Sequence, residues 1–386
     1  MTASELMSGN VDQSHIASFR NTLGTACPMS RSGDNRYNPG TREVPASDIF
    51  SSLFRRQRAG STGVPTRGRM QGTNSTGTVD ERPVEFTADD GVRLRGMWFE
   101  PARGQPTPST AVVIVCGAGI PARFYYGLAR YLAVRGAAVL TFDYRGIGTS
   151  RVGSLRGMAS GMDDWAVHDI GAALAAACDA YPDQPLSVVA HSVGTLMIGA
   201  APGATRLARA VFLGAHTGYW RDYHSRWRWL LFLVWHAFMP AITRIVGFFP
   251  GRMFSLGEDL PRQVAFDWAG RLQPSLVRTA QDAHRFGPHL HRYSEFRADT
   301  LALSISDDAF APPQAAERLV AMYPNLVAVR ETVTPASLGH RRLGHFGFLR
   351  RRPGRYIWPR IAEWLTKDAS ALSTQRAGTR SAHPGQ

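Results

Sequence analysis

Between residues 111 and 213 the chain falls into short, mainly apolar runs: Ala111–Val115, which is continuous, Ala137–Phe142 and Leu186–Ala190, each with one hydroxyl residue inside it, and, behind one arginine, Arg209–Leu213. Runs of five or six without alternation predict strands buried on both faces, as in a parallel sheet. Between them the apolar spacing becomes helical. Phe124, Leu128 and Leu132 line one side of Pro121–Arg135, and Trp165, Ile170, Ala173 and Leu174 line Asp163–Tyr181, with Asp163 or Asp164 as the cap. A shorter helix is expected over Gly194–Ala201. Upstream, from near Pro83, Val84–Pro101 reads as a hairpin with Val92, Leu94 and Trp98 on one face and Asp90-Gly91 at the turn.

The alternation stops near Ala215 and resumes near Thr300 with a strand Thr300–Ser306, a helix Pro313–Met322, a strand Leu326–Val333 and a last helix Gly354–Leu365. Ile357, Ile361, Trp364 and Leu365 share one side of that last helix. Strand and helix in turn imply an α/β fold: a mostly parallel central sheet with helices on both faces. The expected division is a core over 83–214 and 300–367, with an inserted helical segment over 215–299. Residues 1–80 and 368–386 are rich in Ser, Thr, Gly and Arg and cannot bury enough apolar surface to offset their ordering entropy, so both are predicted disordered. A short helix over Ile49–Phe54 is the one exception.

Composition changes this picture little. The formal charge is +14, yet of 44 basic residues only Lys367 is a lysine, and no nucleic-acid motif accompanies the charge. From Arg341 to Gln386 ten basic residues face two acidic ones, which reads as a solvated basic end capable of weak contact with anionic surfaces. Cys27, Cys116 and Cys178 are odd in number and widely spaced, so neither a disulfide framework nor a metal site is expected from them. The stretch Met1–Asn10 lacks the basic and apolar regions of a secretory signal, and a cytoplasmic setting is expected.

The sharpest chemical signal is Ala190-His191-Ser192-Val193-Gly194, where a buried strand turns directly into a helix. Acyl-transfer chemistry needs an exposed hydroxyl beside a base, and a tight strand-to-helix turn provides that exposure. Small residues two before and two after the serine are needed to avoid collision with neighbouring backbone, and Ala190 and Gly194 meet that need. The expected nucleophile is therefore Ser192. His191 should point away from the hydroxyl and serve packing or hydrogen bonding.

Further motifs stand in order: Cys116-Gly117-Ala118-Gly119, then Asp143-Tyr144-Arg145-Gly146-Ile147-Gly148-Thr149-Ser150, the Ser192 turn, Ser306-Asp307-Asp308-Ala309-Phe310-Ala311-Pro312, and Gly344-His345-Phe346-Gly347-Phe348. Through them the chain from Val84 to Leu365 resembles the α/β-hydrolase superfamily, in particular its serine aminopeptidase (S33)-like and monoacylglycerol-lipase-like members and a set of uncharacterised bacterial hydrolases. The resemblance implies a Ser, Asp, His chain order. The spacing from Asp308 to Pro312 matches the family's Asp, three residues, Pro, so Asp308 is preferred over Asp307 as the triad acid, the other aspartate being assigned to capping the helix near Pro313. His345 is preferred as base over His340, which is followed by Arg341-Arg342 and is expected to face solvent. Backbone N–H groups of Ala118 and Val193 are the implied oxyanion hole. Cys116 stands where many relatives have histidine. Arg145 is expected to be a structural anchor.

The segment 215–299, where the family places its lid, holds Trp220, Trp227, Trp229, Trp235 and Trp268. Its uncharged stretch Trp229–Thr243 is 15 residues, short of the roughly 20 of a membrane span, so a helical cap over an apolar pocket is favoured over a membrane-surface helix. The bland alternative is that the tryptophans only hold the cap to the sheet. His284, His289 and His291 with Asp282 do not match a metal site, and no metal or cofactor is expected. The expectation is a serine hydrolase of carboxylic esters or related small-molecule acyl substrates, with weak membrane-surface contact through the apolar cap and the basic C-terminal region, and no specific nucleic-acid partner. The alternatives are a non-catalytic ligand- or partner-binding relative, or an acyltransferase.

Overall fold

The structure, a computed structural model, describes residues 79–275 and 284–366. The stretches expected to be disordered (apart from Val79 and Asp80), the helix expected at Ile49–Phe54, Cys27 and Asp282 lie outside the described residues. Eight strands form one sheet: β1 Val79–Thr87, β2 Arg93–Pro101, β3 Thr110–Val115, β4 Ala137–Phe142, β5 Leu186–His191, β6 Leu207–Leu213, β7 Asp299–Ile305 and β8 Ala328–Val333. Their spatial order is β1-β2-β4-β3-β5-β6-β7-β8. The β1–β2 and β2–β4 pairings are antiparallel and the other five are parallel.

The mainly apolar runs do become the central strands: every residue of β3, β4 and β5 is buried, Thr141 and Ser187 included. The hairpin forms as expected, with Leu94 and Trp98 inside and Gly91 at positive φ in the turn. It starts earlier than the sequence suggests, because pairing with β2 extends to Val79 opposite Pro101. Pro83 is tolerated within β1 because that strand lies at the sheet edge.

The helices α1 Tyr126–Ala133, entered through a 3₁₀ turn Ala122–Tyr125, and α2, residues 162–180, flank the sheet. Trp165, Ile170, Ala173 and Leu174 are all buried, as their spacing predicts. Neither expected aspartate is the cap of α2, since Gly161 occupies that position. Asp164 accepts from the Gly161 N–H at 2.8 Å, while Asp163 pairs with Arg285. After β5 comes α3 Gly194–Met197, which tightens into a 3₁₀ turn. Arg145 is an anchor: its Nε meets buried Asp169 at 2.6 Å and its other nitrogens reach Asp90, tying α2 to the hairpin turn.

Between β6 and β7 lies the helical cap. Its main helix, α4 Arg228–Val246, is 19 residues long with mean hydropathy 1.6, long and apolar enough by length and composition to cross a membrane. From the sequence the uncharged stretch is only the 15 residues Trp229–Thr243, with His236, Pro240 and Arg244 as interruptions of the apolar segment, but the helix runs through all three. A π-helical stretch Leu233–Phe238 precedes Pro240, which then stands in the first turn of the α-helical remainder, where a missing N–H costs little. Leu231, Trp235, Met239 and Thr243, four apart, face the protein, whereas Trp229, Leu233 and Ile245 face outward. The cap continues with α5 Arg262–Ala269 and α6 His291–Glu295. After β7 come α7 Pro313–Val320 and, after β8, α8 Arg351–Thr366 with Ile357, Ile361, Trp364 and Leu365 buried.

Candidate active site

Ser192 sits between β5 and α3 at φ 58, in the left-handed region that a residue with a side chain adopts only at about 1–3 kcal/mol of strain. The turn is held from several directions. Ser192 N–H donates to Leu213 O at 2.9 Å, and Thr195 donates to Ser192 O from its N–H at 3.0 Å and from its hydroxyl at 2.6 Å. The demand for a small residue at position 194 is literal: a Cβ there would lie 2.8 Å from Cys116 O and 2.9 Å from Val115 O.

The late loops bring the other candidates to this hydroxyl. His345 Nε2 lies 2.9 Å from Ser192 Oγ, and its Nδ1 lies 2.7 Å from Asp308 Oδ2. Asp308 is buried, and its Oδ1 accepts from Phe310 N–H at 2.8 Å and Ala311 N–H at 3.0 Å. Burial alone would raise this carboxyl, but the adjacent imidazole and the two amides outweigh it and hold the group below the ordinary carboxylate range. Gly214, at φ 55, passes beneath the imidazole; a Cβ there would stand 3.2 Å from His345 Cε1.

Asp307 does not cap α7. It accepts from Leu343 N–H at 3.0 Å and Gly344 N–H at 2.9 Å, fastening the loop that carries His345. His340, expected to face solvent, is half-buried and is not brought to the hydroxyl. His191 points away from Oγ as expected and links two loops. Gly117 N–H donates to Tyr125 Oη at 2.9 Å, Tyr125 O–H donates to His191 Nδ1 at 2.9 Å, and His191 Nε2–H donates to His345 O at 3.3 Å. Burial keeps this imidazole well below its usual range, so a neutral ring carries the chain.

Ala118 lines the cavity over the serine, and Val193 is buried at the start of α3. Cys116 lies inside the sheet end, its Sγ 3.6 Å from Phe142 O, and burial pushes its thiol up, so it offers no thiolate. Asp143 organises the neighbouring loop through Ala122 N–H at 2.7 Å and the Thr149 N–H and hydroxyl, both at 2.8 Å.

The sequence reading missed one site residue. His216, buried just beyond β6, places Nε2 3.0 Å from Ser192 Oγ and accepts from Gly218 N–H at Nδ1, also 3.0 Å. No residue type signals it: β6 lies parallel and next to β5, so the residues just past its end arrive beside Ser192.

A cavity lies over Ser192 and opens to solvent. The cap contributes Trp235, Met239, Leu256, Leu260 and Trp268; the core contributes Ile120, Phe310 and Phe346. Apart from Ser192 and the two histidines, the side chains around it are apolar or aromatic. The indole nitrogens of Trp235 and Trp268 are buried without an acceptor among the described residues. Of the five cap tryptophans, then, two form the cavity and Trp229 is two-thirds exposed, which differs from a purely structural set. His289 is bonded to Arg292 rather than gathered with the other cap histidines. The cluster of Asp89, Asp90 and His168 is committed to protein pairs, Asp89 with His168 and Asp90 with Arg145.

Residues 106–327 match the family model described as serine aminopeptidase, S33; Ser192 and Asp308 lie inside the matched stretch and His345 beyond it. A stretch of 70 residues is 39% identical to the uncharacterized protein YfhR of Escherichia coli (strain K12), spanning 18% of this chain and 24% of that relative. Among solved structures, a soluble variant of the monoglyceride lipase from Saccharomyces cerevisiae in complex with a substrate analogue covers 78% of this chain and 98% of its own. It has a TM-score of 0.53 and 16% identity, a likeness of fold. A thermostable carboxyl esterase from Bacillus coagulans covers 73% and 97% at a TM-score of 0.49 and 14% identity. Since the family model takes in more than half of the residues, the chain belongs to the serine aminopeptidase S33 family of α/β-hydrolases.

Proposed function

We propose that this protein is a serine hydrolase that cleaves carboxylic esters, or closely related acyl compounds with an apolar acyl group, through an acyl-enzyme. The observation that carries the reading is the unbroken line of hydrogen bonds from Ser192 Oγ to His345 and on to Asp308, at 2.9 and 2.7 Å, at the floor of an apolar cavity. In this reading His345 takes the proton from Oγ as the oxygen attacks the acyl carbon, and then gives it to the leaving alcohol. The Asp308 carboxylate holds the Nδ1–H tautomer and stabilises the imidazolium that forms between these steps. The N–H groups of Ala118 and Val193 receive the oxyanion. Water, deprotonated by His345, then releases the acid.

The cap, over 215–299 between core segments 83–214 and 300–367, is proposed as the lid that selects the acyl group. Its walls favour an acyl chain or aromatic acid over a charged one, because burying an unpaired charge against Trp235, Met239 and Leu260 would cost far more than the contact returns. The unpaired thiols of Cys116 and Cys178 fit a reducing compartment. The outward face of α4 supports weak contact with a lipid surface: Trp229, Leu233 and Ile245 are 66, 57 and 80% exposed, with Arg226 and Arg244 exposed nearby.

The test is hydrolysis of p-nitrophenyl esters by the wild type and Ser192→Ala. The variant is expected to lose turnover by roughly 10⁴- to 10⁶-fold. Full activity in the variant would remove the serine from its role.

A further inference from the structure

Two imidazoles converge on one hydroxyl, and their partners fix opposite roles for them. Ser192 Oγ has one proton to give and lone pairs to accept with. His345 turns its Nδ1–H to Asp308, so its Nε2 carries a lone pair and takes the serine proton. His216 is held the other way round. The Gly218 N–H points at its Nδ1, so that atom is the acceptor and the ring proton must sit on Nε2, 3.0 Å from Oγ. His216 therefore cannot serve as the base while Gly218 holds it.

From this geometry, and resting on the acyl-enzyme reading above, we propose that His216 is a fourth catalytic residue, a standing Nε2–H donor to Ser192 Oγ that assists the departure of this oxygen from the acyl-enzyme. The imidazole is 1% exposed and packs edge-on against Trp268, ring centroids 5.6 Å apart, and against His345 at 5.7 Å. Burial and the neighbouring His345 push it down to about 3, so it remains neutral at assay pH and does not compete for the proton in transit.

The gain falls mainly on one half of the reaction. In the free enzyme Oγ is a hydroxyl and already a good acceptor, so the bond from His216 changes little as the oxygen attacks. In the acyl-enzyme Oγ is an ester oxygen, whose lone pair is drawn into the carbonyl and accepts poorly. Water adds to the acyl carbon, giving a proton to His345. The C–Oγ bond then breaks, its electron pair passes to Oγ, and the His345 imidazolium returns the proton to that oxygen. As charge gathers on Oγ the bond from His216 strengthens, and only interactions that strengthen toward the transition state speed the step. His216 keeps its own proton throughout.

The experiment follows p-nitrophenyl butyrate turnover in the wild type, His216→Phe, His216→Asn and His216→Gln, with intact-protein mass spectrometry on the same samples. Phe keeps a ring without a donor. Asn can still accept from Gly218 N–H but stops short of Oγ, and Gln can bring an amide N–H to where Nε2 stands. For both Phe and Asn, kcat is expected to fall roughly 10- to 100-fold with KM falling in parallel. Then kcat/KM stays within about threefold, a burst of one p-nitrophenol per site appears, and the acylated mass accumulates; Gln recovers part of kcat. Labelling of Ser192 by a fluorophosphonate reports that each variant's site is formed. The proposal is overturned if labelled Phe or Asn variants turn over as the wild type does, or lose kcat and kcat/KM equally with no acylated mass. If the wild type itself neither labels at Ser192 nor forms an acyl-enzyme, the acyl-enzyme reading falls, and the role of His216 with it.

Discussion

The sheet core and the cap use apolar residues differently. In the core, β3, β4 and β5 are buried along their whole length, and the polar groups around Ser192 are matched: Oγ between two imidazoles, Asp308 by two amides and a ring, and Asp307 by the loop it fastens. In the cap, α4 is apolar on both sides. One row, Leu231, Trp235 and Met239, turns inward; another, Trp229, Leu233 and Ile245, turns outward. Two buried indole nitrogens there have no acceptor among the described residues. A closely packed region whose polar groups around Ser192 are hydrogen-bonded can hold reacting atoms to the tolerance that catalysis needs. A region with apolar surface to spare is suited to meeting substrates and surfaces. On the proposed function, reaction rate belongs to the core and selection to the cap.

Substitutions in the two regions should therefore fail differently. The largest expected effect is in the core. Asp308→Asn should lower kcat by roughly 10³- to 10⁴-fold through loss of the correct His345 tautomer, and equally for p-nitrophenyl acetate and decanoate; a loss confined to long chains would break the division. In the cap, Trp268→Ala should raise KM for decanoate roughly 10-fold or more, the worth of about 1.5–3 kcal/mol of apolar contact, while acetate changes by less than about threefold. A chain-length series measures this.

Acid unfolding sharpens the contrast further. His216 and His191 are both held below the ordinary 6.5 in the fold by burial, so the unfolded chain binds protons that the folded one refuses. Their contribution is complete above pH 6.5 and is lost as pH falls below it, for His216 down to about 3. Urea unfolding between pH 6.5 and 4 should show falling stability, and His216→Phe should flatten the slope by about 1.4 kcal/mol per pH unit, one proton's worth. The smallest effect is outside. Replacing Trp229 and Ile245 by serine should weaken partition onto anionic vesicles about fivefold while leaving hydrolysis of soluble esters within about twofold. Unchanged partition in a sedimentation assay would free the outward face of α4 from that role.

The same contrast explains what could be read from the sequence. Central strands are buried on both faces, so their runs are unmistakable, and the small residues around Ser192 announce a turn that nothing larger could enter. The cap helix is apolar on two sides. Its period therefore points nowhere, and its continuation through Pro240 depends on a π-helical stretch that no residue type signals. His216 was missed for a topological reason, since only the adjacency of β6 to β5 brings it to the hydroxyl. Asp307 and Asp308 are neighbours with the same chemistry. Which one meets the imidazole and which one ties down the loop depends on the backbone after β7.

The most direct measurement is to treat the intact protein with a fluorophosphonate and map the adduct by peptide mass spectrometry. The account predicts a single stoichiometric adduct on the peptide containing Ser192, formed slowly or not at all in His345→Ala. An adduct on another residue, or none on a folded chain, would contradict it.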